Sequence, residues 1–337
     1  MRRLCTQAQG QRGWRPTKIW PIHQRRIALP IFPLSSVLRA GQRFIRHLTL
    51  ACWSLLLIWI ASSPVSAATT PPTPQPPKPE AICDFLVPRL PNVKVPLCQK
   101  AQLQPTTGQS VQGRRIYFRD VSATVPELRV MVIGGIHGDE KSSASVVLHW
   151  IQHASETPSN AQWRFIPLAN PDGLNAKPAR RVNANGVDLN RNFPTPQWSK
   201  EAKFYWETRT RRDPRRWPGP KPLSEPESRF LHDQLESFKP HLIVSIHAPY
   251  GLLDYDGPSV PPPKLGRLFL DQVGIFPGSL GNYAGVHKGV PVVTIELPNA
   301  LLTPTDAEMR QMWLDLLRWV SERIKPHVES AAAGTVK

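Results

Sequence analysis

Four side chains in this sequence have the types and spacing of a hydrolytic metal site. His137 and Glu140 stand three residues apart in Ile136-His137-Gly138-Asp139-Glu140, His247 closes Ser245-Ile246-His247, and Glu296 lies in Thr294-Ile295-Glu296-Leu297. Two imidazoles and one carboxylate make a catalytic zinc ligand set that leaves one coordination position open. A further carboxylate beside such a site can take a proton from the attacking water. One zinc ion held by His137, Glu140 and His247, with Glu296 as the base, is therefore the expected arrangement. Each motif alone is weak, since His-x-x-Glu is commoner as a surface pair and a lone strand histidine is commoner as a hydrogen-bonded core residue. The combination carries the reading, because each motif follows an apolar run.

Those runs are the elements that must hold the site. Leu128 to Gly135, Leu242 to Ile246 and Val290 to Ile295 read as buried strands. His137 and Glu140 fall at a strand-to-helix junction, where Gly135 and Gly138 permit a tight turn. Glu296 follows six largely apolar residues, so burial should raise its pKa toward the range of a useful base; a buried glutamate paired with an arginine is the alternative. Ile116 to Val121 and Trp163 to Leu168 read as further strands. Lys141 to His153, Glu225 to Phe238 and Asp306 to Ile324 read as helices, the second with Ser224 as N-cap and Glu227 completing a capping box. The alternation predicts an α/β fold, a mixed central sheet flanked by helices on both faces.

Charge and cysteine usage divide the chain. Net charge is +17, but residues 1–67 hold ten Lys or Arg and no Asp or Glu, leaving 32 basic against 25 acidic residues from position 68 onward. The high pI thus belongs largely to the leader, and no nucleic-acid partner is expected, since that needs a basic face on the folded domain. The leader runs from basic residues through apolar Leu48–Ala61 to Val65-Ser66-Ala67, a small-residue cleavage pattern. Its apolar core is short of the roughly 20 residues that span a bilayer. Residues 1–67 are therefore expected to be a cleaved signal peptide with a long basic n-region, and the protein periplasmic or secreted; an uncleaved inner-membrane anchor is the alternative. Residues 68–80 form a proline-rich linker. Cys83 and Cys98, the only cysteines past the leader, suggest a local disulfide tying residues 81–105, with two free thiols as the alternative. Residues 106–325 are expected to form the catalytic domain and 326–337 a disordered tail.

The most specific stretch is Arg181-Val182-Asn183-Ala184-Asn185-Gly186-Val187-Asp188-Leu189-Asn190-Arg191-Asn192-Phe193. It closely resembles the Arg…Gly-Val-Asp-x-Asn-Arg-Asn motif of the zinc carboxypeptidase family. With the three motifs above, the order and spacing match that family over roughly residues 110–325. Asn170-Pro171-Asp172-Gly173, Leu223-Ser224-Glu225-Pro226-Glu227 and Pro277 to Gly285 bring it closer to the murein peptide amidase A branch. The resemblance implies that Arg181 holds the oxyanion, with Arg180 as a competitor one residue away. It implies that Asn190 and Arg191 clamp a terminal carboxylate, and that Leu280 occupies the specificity-pocket position. Asp188 then has a supporting role. Digestive members carry a mobile tyrosine just before the Gly-Ser of the last segment; here that spacing offers Val273 or Phe276.

The function so implied is an exported zinc amidase or carboxypeptidase that cuts murein peptides between γ-D-glutamate and meso-diaminopimelate. The rivals are a general metallocarboxypeptidase, a deacylase like succinylglutamate desuccinylase or aspartoacylase, and a non-catalytic wall-binding module. The deacylases carry a β-rich domain after the catalytic glutamate, whereas only 41 residues, helical in pattern, follow Glu296. The basic stretch Trp206 to Trp217 reads either as a contact for an anionic wall polymer or as a solvated loop.

Overall fold

The computed structural model describes residues 79–334 apart from Thr124 and Pro158, so the expected signal peptide and most of the expected linker lie outside the described residues. Seven strands form the main sheet: β1 (Gln104–Gln109), β2 (Arg115–Ser122), β3 (Leu128–Ile133), β4 (Ala161–Ile166), β5 (Leu242–His247), β6 (Leu252–Asp256) and, after the two-residue strands β7 (Lys264–Leu265) and β8 (Leu268–Phe269), β9 (Val292–Glu296). Their spatial order is β1-β2-β4-β3-β5-β9-β6. The four central strands β4, β3, β5 and β9 are parallel. β2 and β1 extend one side antiparallel, and β6 pairs antiparallel with β9 at the other edge. The sheet is mixed, as expected.

The central strands are buried on both faces, and their alternation sorts side chains between two cores. On one face Val130 and Val132 of β3, Val244 and Ile246 of β5, and Val293 and Ile295 of β9 pack under α3 (Lys141–Glu156) and α7 (Asp306–Trp319). Trp313 of α7 sits between Trp150 and Trp163, with ring centroids 5.4 and 4.6 Å away. On the other face Met131, Ile133, Ile243 and Val292 meet α6 (Pro226–Phe238), Phe193 and the wide helical turn Gly281–His287. Helices therefore cover both faces.

The N-terminal segment joins the first core rather than standing apart. Its helices α1 (Pro79–Leu86) and α2 (Val95–Lys100) are linked by the disulfide Cys83–Cys98, and Leu86, Leu90, Val93 and both cysteines are buried with α3. Two local expectations are corrected. The N-cap of α6 is Glu225, with no side-chain cap, and no capping box forms. Glu227 is buried instead, accepting from Val111 N and Asn183 Nδ2, so it cannot reach back to the helix end. The capping box is at α7, where Thr305 and Glu308 satisfy each other's backbone amides. The segment expected to be a disordered tail continues as α8 (Lys325–Gly334), with Val328 packed against the first core.

Candidate metal centre and substrate cavity

The site lies at the carboxyl ends of the parallel strands, where ligands gather in α/β sheets. β3 ends at Ile133 and turns through Gly134 and Gly135 (φ +56°) into His137, and Glu140 is the N-cap residue of α3. The turn is tight at Gly138, whose added Cβ would overlap the Gly173 backbone. Asn170 fixes the same corner by donating to Ile136 O and Arg181 O. His247 and Glu296 are the last residues of β5 and β9.

His137, Glu140 and His247 converge, all three buried, with ligand atoms within 4.8 Å of one another. His137 Nδ1 lies 2.8 Å from Glu140 Oε1, His247 Nδ1 lies 3.0 Å from Glu140 Oε2, and the two Nδ1 atoms are 3.1 Å apart. His137 Nε2 faces Asp188 Oδ1 at 3.0 Å. Asp188, which only accepts when ionised, suits a proton on His137 Nε2, and that tautomer would leave the Nδ1 lone pair for a cation shared with Glu140 and His247. Lone pairs aimed at one point are the requirement of a cation. These donors are also the nitrogen and oxygen types zinc takes. The three residues fit the metal. Among the described residues they are the only such His, Cys, Asp or Glu group.

Electrostatics reinforce the arrangement. Burial alone would raise Glu140, but the two imidazoles hold it well below the usual carboxylate range. Burial likewise opposes the charge on Asp188, which Arg181 and His137 overcome. Asp188 accepts from Arg181 Nε at 3.0 Å, and Arg181 Nη1 reaches Glu140 Oε1 at 3.2 Å. Arg181 lines the cavity, whereas Arg180 is exposed and does not line it. Glu296 also lines the cavity, with its Oε2 buried and unpaired. Burial raises its pKa, against the His247 charge.

Arg191 is 5% exposed, its guanidinium 4.5 Å from the Phe276 ring centroid and its Nε without a partner. Burial pushes its pKa down to about 10. Asn190 lines the same cavity while its Oδ1 accepts from Leu280 N at 2.8 Å. Leu280 itself is a correction. It is 1% exposed, packs in the second core with Phe193 and Tyr283, and does not line the cavity. The turn that begins beside it presents Ser279 and Gly281 instead. Val273 and Phe276, at the spacing of the missing tyrosine, do line the cavity, whereas the Tyr283 hydroxyl donates to Glu236.

The motif around Arg181 is held by a buried polar network. Asn183 donates to Glu225 and Glu227 and accepts from Asn185 N and Val187 N. Asn192 donates to Pro218 O and Lys221 O and accepts from Ser228. The sequence reading missed several cavity residues of about 480 Å³ of space: Tyr205, Asp213, Tyr250, Asp254 and Asp256 among them. Asp254-Tyr255-Asp256 offered a period-two signal that places both acids on one face, had Leu252 to Asp256 been read as a strand.

The comparisons agree with this geometry. The family model described as zinc carboxypeptidase matches residues 102–259. Murein peptide amidase A of Escherichia coli (strain K12) is 30% identical over 234 residues, covering 66% of this chain and 94% of the relative. Murein peptide amidase A of Vibrio campbellii (strain ATCC BAA-1116) is 31% identical over 205 residues, covering 58% of this chain and 80% of the relative. The crystal structure of carboxypeptidase A from Helicoverpa armigera shares the fold with a TM-score of 0.51 at 19% identity, over 71% of each chain. The chain belongs to the zinc carboxypeptidase family and is a zinc-dependent hydrolase.

Proposed function

We propose that this chain is an exported amidase that holds one zinc ion and hydrolyses the bond between γ-D-glutamate and meso-diaminopimelate in murein peptides. The observation that carries the reading is the cavity itself. It joins the His137–Glu140–His247 cluster and Glu296, whose Oε2 is buried and unpaired, to the buried Arg191, whose Nε has no partner. The 30% identity to murein peptide amidase A over nearly the whole of that relative supports the substrate class.

His137, Glu140 and His247 would hold the zinc ion, which would supply Lewis acidity to the carbonyl and the attacking water. Glu296 takes a proton from the attacking water, a role that its raised pKa suits, and passes it to the leaving amine. Arg181 has two N–H groups committed to Asp188 and Glu140, and its remaining donors hydrogen-bond the carbonyl oxygen as charge develops there. Arg191, with Asn190 beside it, takes the terminal carboxylate. Phe276 under the guanidinium keeps water from that face.

The test is mass spectrometry of L-Ala-γ-D-Glu-meso-diaminopimelate after incubation with the mature chain. Free diaminopimelate is expected, with much weaker release when the neighbouring carboxylate is amidated. Faster cleavage of α-linked peptides ending in Lys, Arg or Phe would make it a general carboxypeptidase. For export, N-terminal sequencing of the secreted protein should start near Ala68; a chain retaining residues 1–67 would be anchored instead.

A further inference from the structure

The catalytic steps leave one wall of the cavity unused. Asp254 and Asp256 of β6 both line it. They pair in register with Thr294 and Val292 of β9, two residues apart, so their side chains share the face that carries Glu296. Asp254 is 7% exposed, and its Oδ1 accepts from Tyr255 N at 2.9 Å. Asp256 is partly buried beneath the Gly281–His287 turn, where an added Cβ on Gly281 or Gly285 would overlap it. Neither acid forms an ion pair with a described residue, although Arg181, Arg191, Arg209 and Arg216 line the same cavity. Burial raises the pKa of both, and with Asp254 beside it Asp256 is pushed up to about 6.

An acid pair left without a cation inside a cavity rich in arginine is a standing electrostatic cost. It is relieved when a positive group binds. A hard metal ion takes six to eight oxygens, and no third carboxylate or imidazole completes a ligand group here. An ammonium fits better, because its three donors match two carboxylates and the Thr294 hydroxyl on the same wall. Elsewhere in the same lining the buried, unpartnered Arg191 Nε independently points to an anion. The cavity is therefore bipolar, suited to a terminal residue that carries both carboxylates and an amine.

We propose that Asp254 and Asp256 bind the side-chain ammonium of the substrate's terminal residue and are the specificity determinants of this enzyme, a role the sequence had placed at Leu280. The inference rests on the murein reading for the identity of that residue, meso-diaminopimelate, whose distal end is zwitterionic.

The experiment compares kcat/KM for L-Ala-γ-D-Glu-meso-diaminopimelate and its 2-aminopimelate analogue, in which a hydrogen replaces the distal amine. The native enzyme should prefer the amine by roughly tenfold to a hundredfold, the scale of a charge-assisted contact. Asp256→Asn should cut that preference to within about threefold, with zinc content and melting behaviour showing an intact fold. Asp254→Asn, which keeps an acceptor for Tyr255 N, gives a second reading. An unchanged ratio in both variants, or no preference in the native enzyme, overturns the proposal. If neither γ-linked peptide is cut, the murein reading fails instead. Benzoylglycyl-lysine against benzoylglycyl-norleucine then reads the same acids: a lysine preference abolished by Asp256→Asn upholds the ammonium site, and its absence or survival overturns it.

Discussion

His247 and Glu296 are register partners across the parallel pair β5 and β9, each the last residue of its strand. Register fixes the face of every side chain, and a slip of one residue would send either to the opposite core. The same ladder that pairs Val244 with Val293 in the core thus sets Glu296, the proposed base, beside His247.

Glu296→Gln should retain zinc and fold but lose at least ~100-fold in kcat, the usual scale for a general base. Because burial raises this carboxyl, the acid limb of kcat/KM should lie above the ordinary glutamate range. Activity should fall as pH drops through that value, since the protonated form cannot accept a proton. Near-native turnover of the variant would assign the base elsewhere.

His137→Ala and His247→Ala should each strip the metal, because removing one leaves only two of three protein ligands. Elemental analysis of the purified variants checks this. Stoichiometric zinc in both would remove them from the ligand set.

Gly138→Ala should weaken zinc binding without touching a ligand. Its Cβ would overlap the Gly173 backbone, which is not a flexible side chain that can move aside. The turn between His137 and Glu140 must therefore open, and calorimetric zinc titration should show at least a ~10-fold loss of affinity, the lower end of what disturbing ligand support costs.

Asp256→Asn should stabilise the protein at neutral pH. The folded pKa of about 6 exceeds the unfolded 3.8, so the folded state binds more protons between these values and stability falls as pH rises through them. Asparagine removes that loss, worth about 1 kcal/mol after allowance for solvent contact. Melts at pH 7 and pH 4 should show the gain at the first and little at the second. A gain of equal size at both would remove the carboxyl's ionisation as its source.

Cys83→Ser with Cys98→Ser should lower stability by about 2–4 kcal/mol. The disulfide ties α1 to α2 beside α3, remote from the cavity walls, so the zinc content should be unchanged. Two alkylatable thiols in the unreduced native protein would remove the bond.

Strong hydrophobic periods made most of the framework legible. The runs at Leu128, Leu242 and Val290 became β3, β5 and β9 within two residues at each end, because central parallel strands are apolar throughout. β6 was not legible, since Asp254 and Asp256 break its apolar pattern for the sake of the cavity. Leu280 was misplaced because sequence spacing locates a turn but not which side chain of that turn faces inward. The chosen N-cap of α6 failed for a tertiary reason: Glu227 is drawn into the buried network around Asn183. Arg181 could be separated from Arg180 only by the contact with Asp188.

Asp188 holds His137 through one oxygen and Arg181 through the other. His137 and Arg181, proposed as metal ligand and oxyanion donor, consequently share one support, and neither can be retuned by substitution at position 188 without disturbing the other. Selection acting here on metal affinity acts at the same time on transition-state binding. Asp254 and Asp256 on the β6 wall share no hydrogen bond with His137 or Arg181, so substitutions there leave that corner's contacts in place.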